Sequence, residues 1–170
     1  MSASKDKGSG YERKIASMLS KRFLHIYNSE KSFITNSGSG ARFGGKNASK
    51  LAVTSERHHL VGDITPPDNK FKFVIECKHY KSPVTFMSVV KGSLGQWDKW
   101  INQVDTDAKS SGKQPMLVVR YNLVPDIVIL MDHVISSEDL VSIINYKNRK
   151  VYLLSDVLKL EDEFFIRKGE

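Results

Sequence analysis

Apolar and polar residues alternate along 71–79. Phe71, Phe73, Ile75 and Cys77 fall on one side of an extended chain, and Lys72, Val74, Glu76 and Lys78 fall on the other. Val61, Gly62, Asp63 and Ile64 read as the strand before it. Between them lie Thr65, Pro66, Pro67, Asp68, Asn69 and Lys70. A tight turn at Pro67 and Asp68 would set Asp63 opposite Lys72. Two prolines cannot donate to a ladder, so a wider connection that brings Asp63 toward Glu76 is expected. Elsewhere the period is helical. Ser9 and Glu12 have the spacing of a capping box, and Ile15, Met18, Leu19 and Phe23 follow as one apolar stripe. Trp97, Trp100, Ile101, Val104 and Ala108 form a second stripe within 93–110, closed by Gly112.

The remaining segments complete an α/β pattern. Residues 32–36 read as a short strand, and 115–122, 126–131 and 150–154 as buried or late strands. Ser136 starts a short helix with Leu140, Ile143 and Ile144 inward. Ser155 caps another that runs to Leu160, and Phe164, Phe165 and Ile166 form an apolar cluster that docks on a core or a partner. Residues 1–8 are polar and read as a mobile tail. No repeat or interdomain linker interrupts the chain, so 9–170 reads as one mixed α/β domain with a central mixed sheet flanked by helices.

Chemistry concentrates on the alternating strand. Glu76 and Lys78 share its polar face and Asp63 approaches from the neighbouring strand. Two carboxylates with an ammonium beside them suit Mg²⁺-assisted attack of water on a phosphodiester. Two surface charges on an ordinary amphipathic strand would look the same. Glu12 stands at the head of the first helical stripe, where it either caps the helix and complements its dipole or reaches the carboxylates. Residues 37–47 hold four glycines with Ser39, Arg42 and Lys46, a composition that lets backbone approach phosphate. Gly40, Gly45 and Lys46 nearly match a P-loop, with 127–132 as a conceivable acidic strand. Asn47 stands where a Mg²⁺-holding hydroxyl belongs, so the loop reads instead as a grip on nucleic acid backbone. His58 and His59 face opposite ways on a strand, so at most one can join the site. His79 alternates away from Glu76 and Lys78. The paired tryptophans read as core or dimer contacts rather than base-stacking groups.

Charge adds a partner class. Among 170 residues, 26 Lys and Arg outnumber 19 Asp and Glu, for a net charge of +7 and a pI near 9.4. Such a balance favours a polyanion, most often nucleic acid. Arg13, Lys14, Arg42, Lys46 and Lys81 are candidate backbone contacts that would position DNA without reading its sequence. The single cysteine, Cys77, excludes an internal disulfide and a cysteine-rich zinc site, and its place among apolar residues suggests a buried thiol. No run is apolar enough to span a bilayer and no signal peptide opens the chain, so an intracellular location is expected.

Asp63 followed by Glu76, Cys77 and Lys78 resembles the D…(D/E)xK motif of the PD-(D/E)xK nuclease superfamily. With Glu12 upstream, the glycine-rich loop and Gln103 downstream, the order is most similar to archaeal-type Holliday junction resolvases over about residues 10–131, leaving 132–170 as an extension. Gly62 departs from the pattern by standing where Pro is expected. The resemblance implies a restriction-endonuclease-like core and Mg²⁺, with Mn²⁺ substituting, held by Glu12, Asp63, Glu76 and the backbone carbonyl of Cys77. It implies that Lys78 orients water or stabilises developing charge, that Gln103 sits near the metal, and that Ser39 joins the basic residues on the DNA backbone. It implies a two-fold dimer acting on branched or double-stranded DNA in the cytoplasm or nucleoid. Rival readings are a restriction or repair nuclease, a non-catalytic binding module of the same fold, and a P-loop hydrolase.

Overall fold

The computed structural model describes residues 3–36, 61–92, 94–136 and 138–168. The helices are α1 (Ala3–Arg22), α2 (Leu24–Tyr27), α3 (Phe86–Val90), α4 (Gly95–Ser111), α5 (Leu154–Val157) and α6 (Asp162–Phe165). The strands are β1 (Ile34–Thr35), β2 (Ile64–Thr65), β3 (Phe73–Tyr80), β4 (Gln114–Tyr121), β5 (Ile127–Met131), β6 (Ile144–Tyr146) and β7 (Arg149–Leu153). They form one seven-stranded sheet in the order β1-β2-β3-β4-β5-β7-β6. Neighbours run antiparallel except β3 and β4, which are parallel. A parallel pair needs a crossover, and α4 supplies it.

Both faces of the sheet are covered. On one, Ile15 and Leu19 of α1 and Phe23 just after it pack with Phe71, Phe73, Ile75 and Cys77. On the other, Trp97, Trp100, Ile101, Val104 and Ala108 of α4 pack with Val74, Leu117, Val119 and Ile129. The α4 stripe is the one read from the sequence, and Gly112 ends the helix at φ 64°. Both tryptophans are core residues, with Trp97 Nε1 donating to Tyr121 Oη at 2.7 Å. Covering both faces leaves Glu76, on the polar side of the alternation, only 1% exposed.

Three local expectations are corrected. Ser9 does not cap α1, because the helix starts at Ala3 and takes in residues 3–8. No proline bars that extension, and Gly8 and Gly10 cost about 1 kcal/mol each within a helix. Glu138 and Asp139 form a turn and Ile144–Tyr146 form strand β6 instead of a helix, because pairing of Ile144 with Val151 and burial of Tyr146 outweigh the local pattern. Ser155 lies inside α5, which ends at Val157. The expected docking at 164–166 is present. Phe165 is fully buried against Phe23, Phe71 and Phe73, and Ile166 bridges to Phe71. Arg22 ties this segment down, donating to Leu158 O at 2.7 Å and Leu160 O at 2.8 Å.

Candidate active site

The pairing of β2 with β3 places the site. Ile64 is the register partner of Ile75, so Asp63 comes opposite Glu76, as the wide connection required. Gly62 makes this possible. Its φ is +84°, and a Cβ there would stand 2.7 Å from Ile75 O. Proline cannot reach that φ. The departure from the superfamily's Pro therefore has a backbone cause. The Asp63 N–H donates to Ile75 O at 2.8 Å, and Asp63 Oδ2 accepts from the Cys77 N–H at 2.8 Å. Asn36 braces the other side: its N–H donates to Asp63 O at 2.9 Å and its Nδ2 to Gly62 O at 3.0 Å.

Glu76 is the most enclosed carboxylate. Its Oε1 accepts from Lys78 Nζ and, at 2.6 Å, from Gln103 Nε2 on α4. Burial pushes its pKa up to about 7, the Asp63 carboxylate pushes the same way, and Lys78 opposes both. Glu12, on α1, is half-buried. Its pKa is raised by burial and then by Asp63, with Lys78 and Arg13 opposing. The Cys77 thiol is buried and held well above its usual range by desolvation and then by the Asp63, Glu76 and Glu12 carboxylates, so it is no nucleophile.

A fourth carboxylate belongs here that the sequence reading missed. Asp107 is raised by burial and by Asp63 and lowered by Lys78. It lies four residues beyond Gln103, one helical turn along the same face of α4, and that spacing was its available signal. Lys78 is the ammonium whose charge reaches Glu12, Glu76 and Asp107 alike.

Burial, and after it Asp63, raises the pKa of both Glu12 and Glu76. Among the described residues, no three His, Cys, Asp or Glu side chains are gathered closely enough to hold a metal ion. The hydrogen bonds give the reason: Glu76 is turned to Lys78 and Gln103, and Asp63 to the Cys77 N–H. Arg13 and Lys81 are exposed, and Lys14 is engaged by Asp126 at 2.5 Å. His79 is off the carboxylate pair, with Nε2 3.1 Å from Asn122 Oδ1. Ser39, Arg42, Lys46, the rest of the glycine-rich loop, His58 and His59 lie outside the described residues.

The family described as "Phage putative PDDEXK endonuclease" matches residues 3–165, nearly the whole chain. The chain belongs to this family. It is a nuclease of the PD-(D/E)xK type, built on a mixed sheet flanked by helices. Asp63, Glu76 and Lys78 are the residues read from the sequence as the acidic, acidic and basic positions for which such nucleases are named. No curated protein matches the nuclease. Among solved structures, Archaeoglobus fulgidus Hjc, a Holliday junction resolvase from an archaeal hyperthermophile, aligns over 88% of this chain and 90% of its own. The identity is 14% and the TM-score 0.37, a likeness too distant to carry an argument. Among the described residues, no helix of the nuclease is long and apolar enough to cross a membrane.

Proposed function

We propose that this nuclease is a Mg²⁺-dependent DNA endonuclease that cuts branched DNA, of which the four-way junction is the leading substrate. The observation that carries the reading is the facing pair Asp63 and Glu76, with Lys78 and Gln103 on the same Glu76 oxygen. The donor chemistry fits Mg²⁺. The ion takes oxygen ligands, is commonly bound through one or two carboxylates, and keeps several waters. Two carboxylates set against each other at the cost of a raised pKa are a site that a divalent cation relieves.

Asp63 and Glu76 would hold the ion, with the Cys77 carbonyl and Glu12 as further oxygen donors, and Mn²⁺ would substitute. Bound there, Mg²⁺ supplies Lewis-acid chemistry by withdrawing charge from the phosphate oxygens. Gln103 fixes the rotamer of Glu76 by its 2.6 Å hydrogen bond. Lys78, beside Glu76, would orient the attacking water and stabilise charge as it builds on the phosphate. Arg13 and Lys81 sit on backbone phosphates and set the register of the duplex, as would Ser39, Arg42 and Lys46. A junction presents two strands to cut, so two copies of the chain related by a two-fold axis suit it.

The test is cleavage of a synthetic four-way junction, a flap and a linear duplex, with Mg²⁺, Mn²⁺ or EDTA. Junction cutting in either metal and none in EDTA is the expected result. Lys78→Ala should slow cutting by about 10² to 10³ while binding persists. Equal cutting of all three DNAs would remove junction specificity and leave a restriction- or repair-type nuclease. Binding with no metal-dependent breaks would leave a binding module.

A further inference from the structure

The β4–β5 turn carries a residue that the site does not explain. Leu123 is fully exposed, and its φ of 62° puts a bulky side chain in the left-handed region. An exposed leucine alone is ordinary on a protein surface. A leucine held there at a positive φ is not, since that backbone region disfavours every residue with a branched side chain. Strain of this kind gathers at functional positions.

The surroundings indicate what it meets. β3 and β4 are parallel and in register, with Lys78 beside Val119 and His79 beside Arg120. Leu123 is four residues beyond Val119, so it lies on the order of 15 Å along the chain from the level of Lys78, or about four base steps of DNA. Asp126, in the same turn, is matched by two cations, Lys14 at 2.5 Å and Arg120 at 4.0 Å, so the patch is net positive. Both cations also lie against the Tyr11 ring, each 5.9 Å from its centroid, which fixes them beside the turn.

We infer that Leu123 is a wedge that enters the base stack of the DNA beside the cut, with Arg120 and Lys14 on the flanking phosphates. Apolar side chains used in this way part a base step and bend the duplex. The inference rests on the nuclease reading and adds to it a device for opening the substrate next to the cleaved bond.

The probe is a junction carrying 2-aminopurine, a base whose fluorescence rises on unstacking, at successive positions within six nucleotides of the mapped cut. Titration with the full chain in EDTA, so that nothing is cleaved, should raise the signal severalfold at one or two adjacent positions. Leu123→Gly should abolish the rise and weaken binding about tenfold. Its Tm should hold or increase, because glycine suits the positive φ. Leu123→Met should restore the signal, and Val141→Ser, which alters another exposed apolar residue, should leave it unchanged. A rise that survives Leu123→Gly overturns the wedge. Mg²⁺-dependent cleavage with flat probes overturns it too, and leaves the nuclease reading standing. Failure of the wild type to bind or cut DNA overturns both.

Discussion

Glu76→Gln separates the cost of a buried charge from the rest of the fold. The ordinary pKa of the carboxyl is 4.5, and in the folded chain burial and Asp63 raise it to about 7. Between those values the folded state binds more protons than the unfolded one. Stability therefore falls as pH rises from about 4.5, and levels off above about 7. Each pH unit in that window is worth ~1.4 kcal/mol, so ionising Glu76 costs the folded protein about 3 kcal/mol. Glutamine keeps the shape and has nothing to ionise. Glu12 and Asp107 are present in both proteins, so their contributions largely cancel in the difference. Urea unfolding of both proteins in EDTA at pH 5 and pH 8 measures it. The wild type should lose about 2 to 3 kcal/mol more than the variant between the two pH values. Parallel behaviour, with a difference that does not change with pH, would refute the claim that Glu76 is a strained buried acid.

Other perturbations have equally definite outcomes. Gly62→Ala forces a Cβ to 2.7 Å from Ile75 O at φ +84° and should cost about 3 kcal/mol, lowering Tm by roughly 10 °C in a thermal melt. Gln103→Ala removes a donor to ionised Glu76. The acid limb of the cleavage pH profile should therefore move upward by about one pH unit. Phe165→Ala should cost about 3 to 5 kcal/mol by urea unfolding, because its ring is wholly enclosed by other aromatics.

Legibility in the sequence followed the range of the interactions. The alternation of β3 and the stripe of α4 are short-range patterns, and both were readable. The approach of Asp63 to Glu76 was readable because two prolines rule out the tight turn that would misalign them. Gln103 was carried over from a family resemblance, and its bond to Glu76 joins residues 27 apart in the chain. Asp107 went unnoticed because its partners lie on other elements, and only its spacing from Gln103 hinted at it. The stretch after Ser136 reads locally as a helix, but it is held as a strand by β7, which follows it in the chain. Likewise, no pattern around Ser9 reveals where α1 begins. The meaning of Gly62 was invisible as well. A single residue letter does not say that the backbone turns left-handed against a carbonyl.

The way Phe165 closes the aromatic core has a consequence for the timing of synthesis. Phe23 and Phe71 are translated long before the ring that seals them, and Ile166, the next residue, adds its bridge to Phe71. A nascent chain that has made Asp63, Glu76 and Lys78 therefore still lacks one wall of the core beneath them. The aromatic core is therefore completed by the last segment of the described chain.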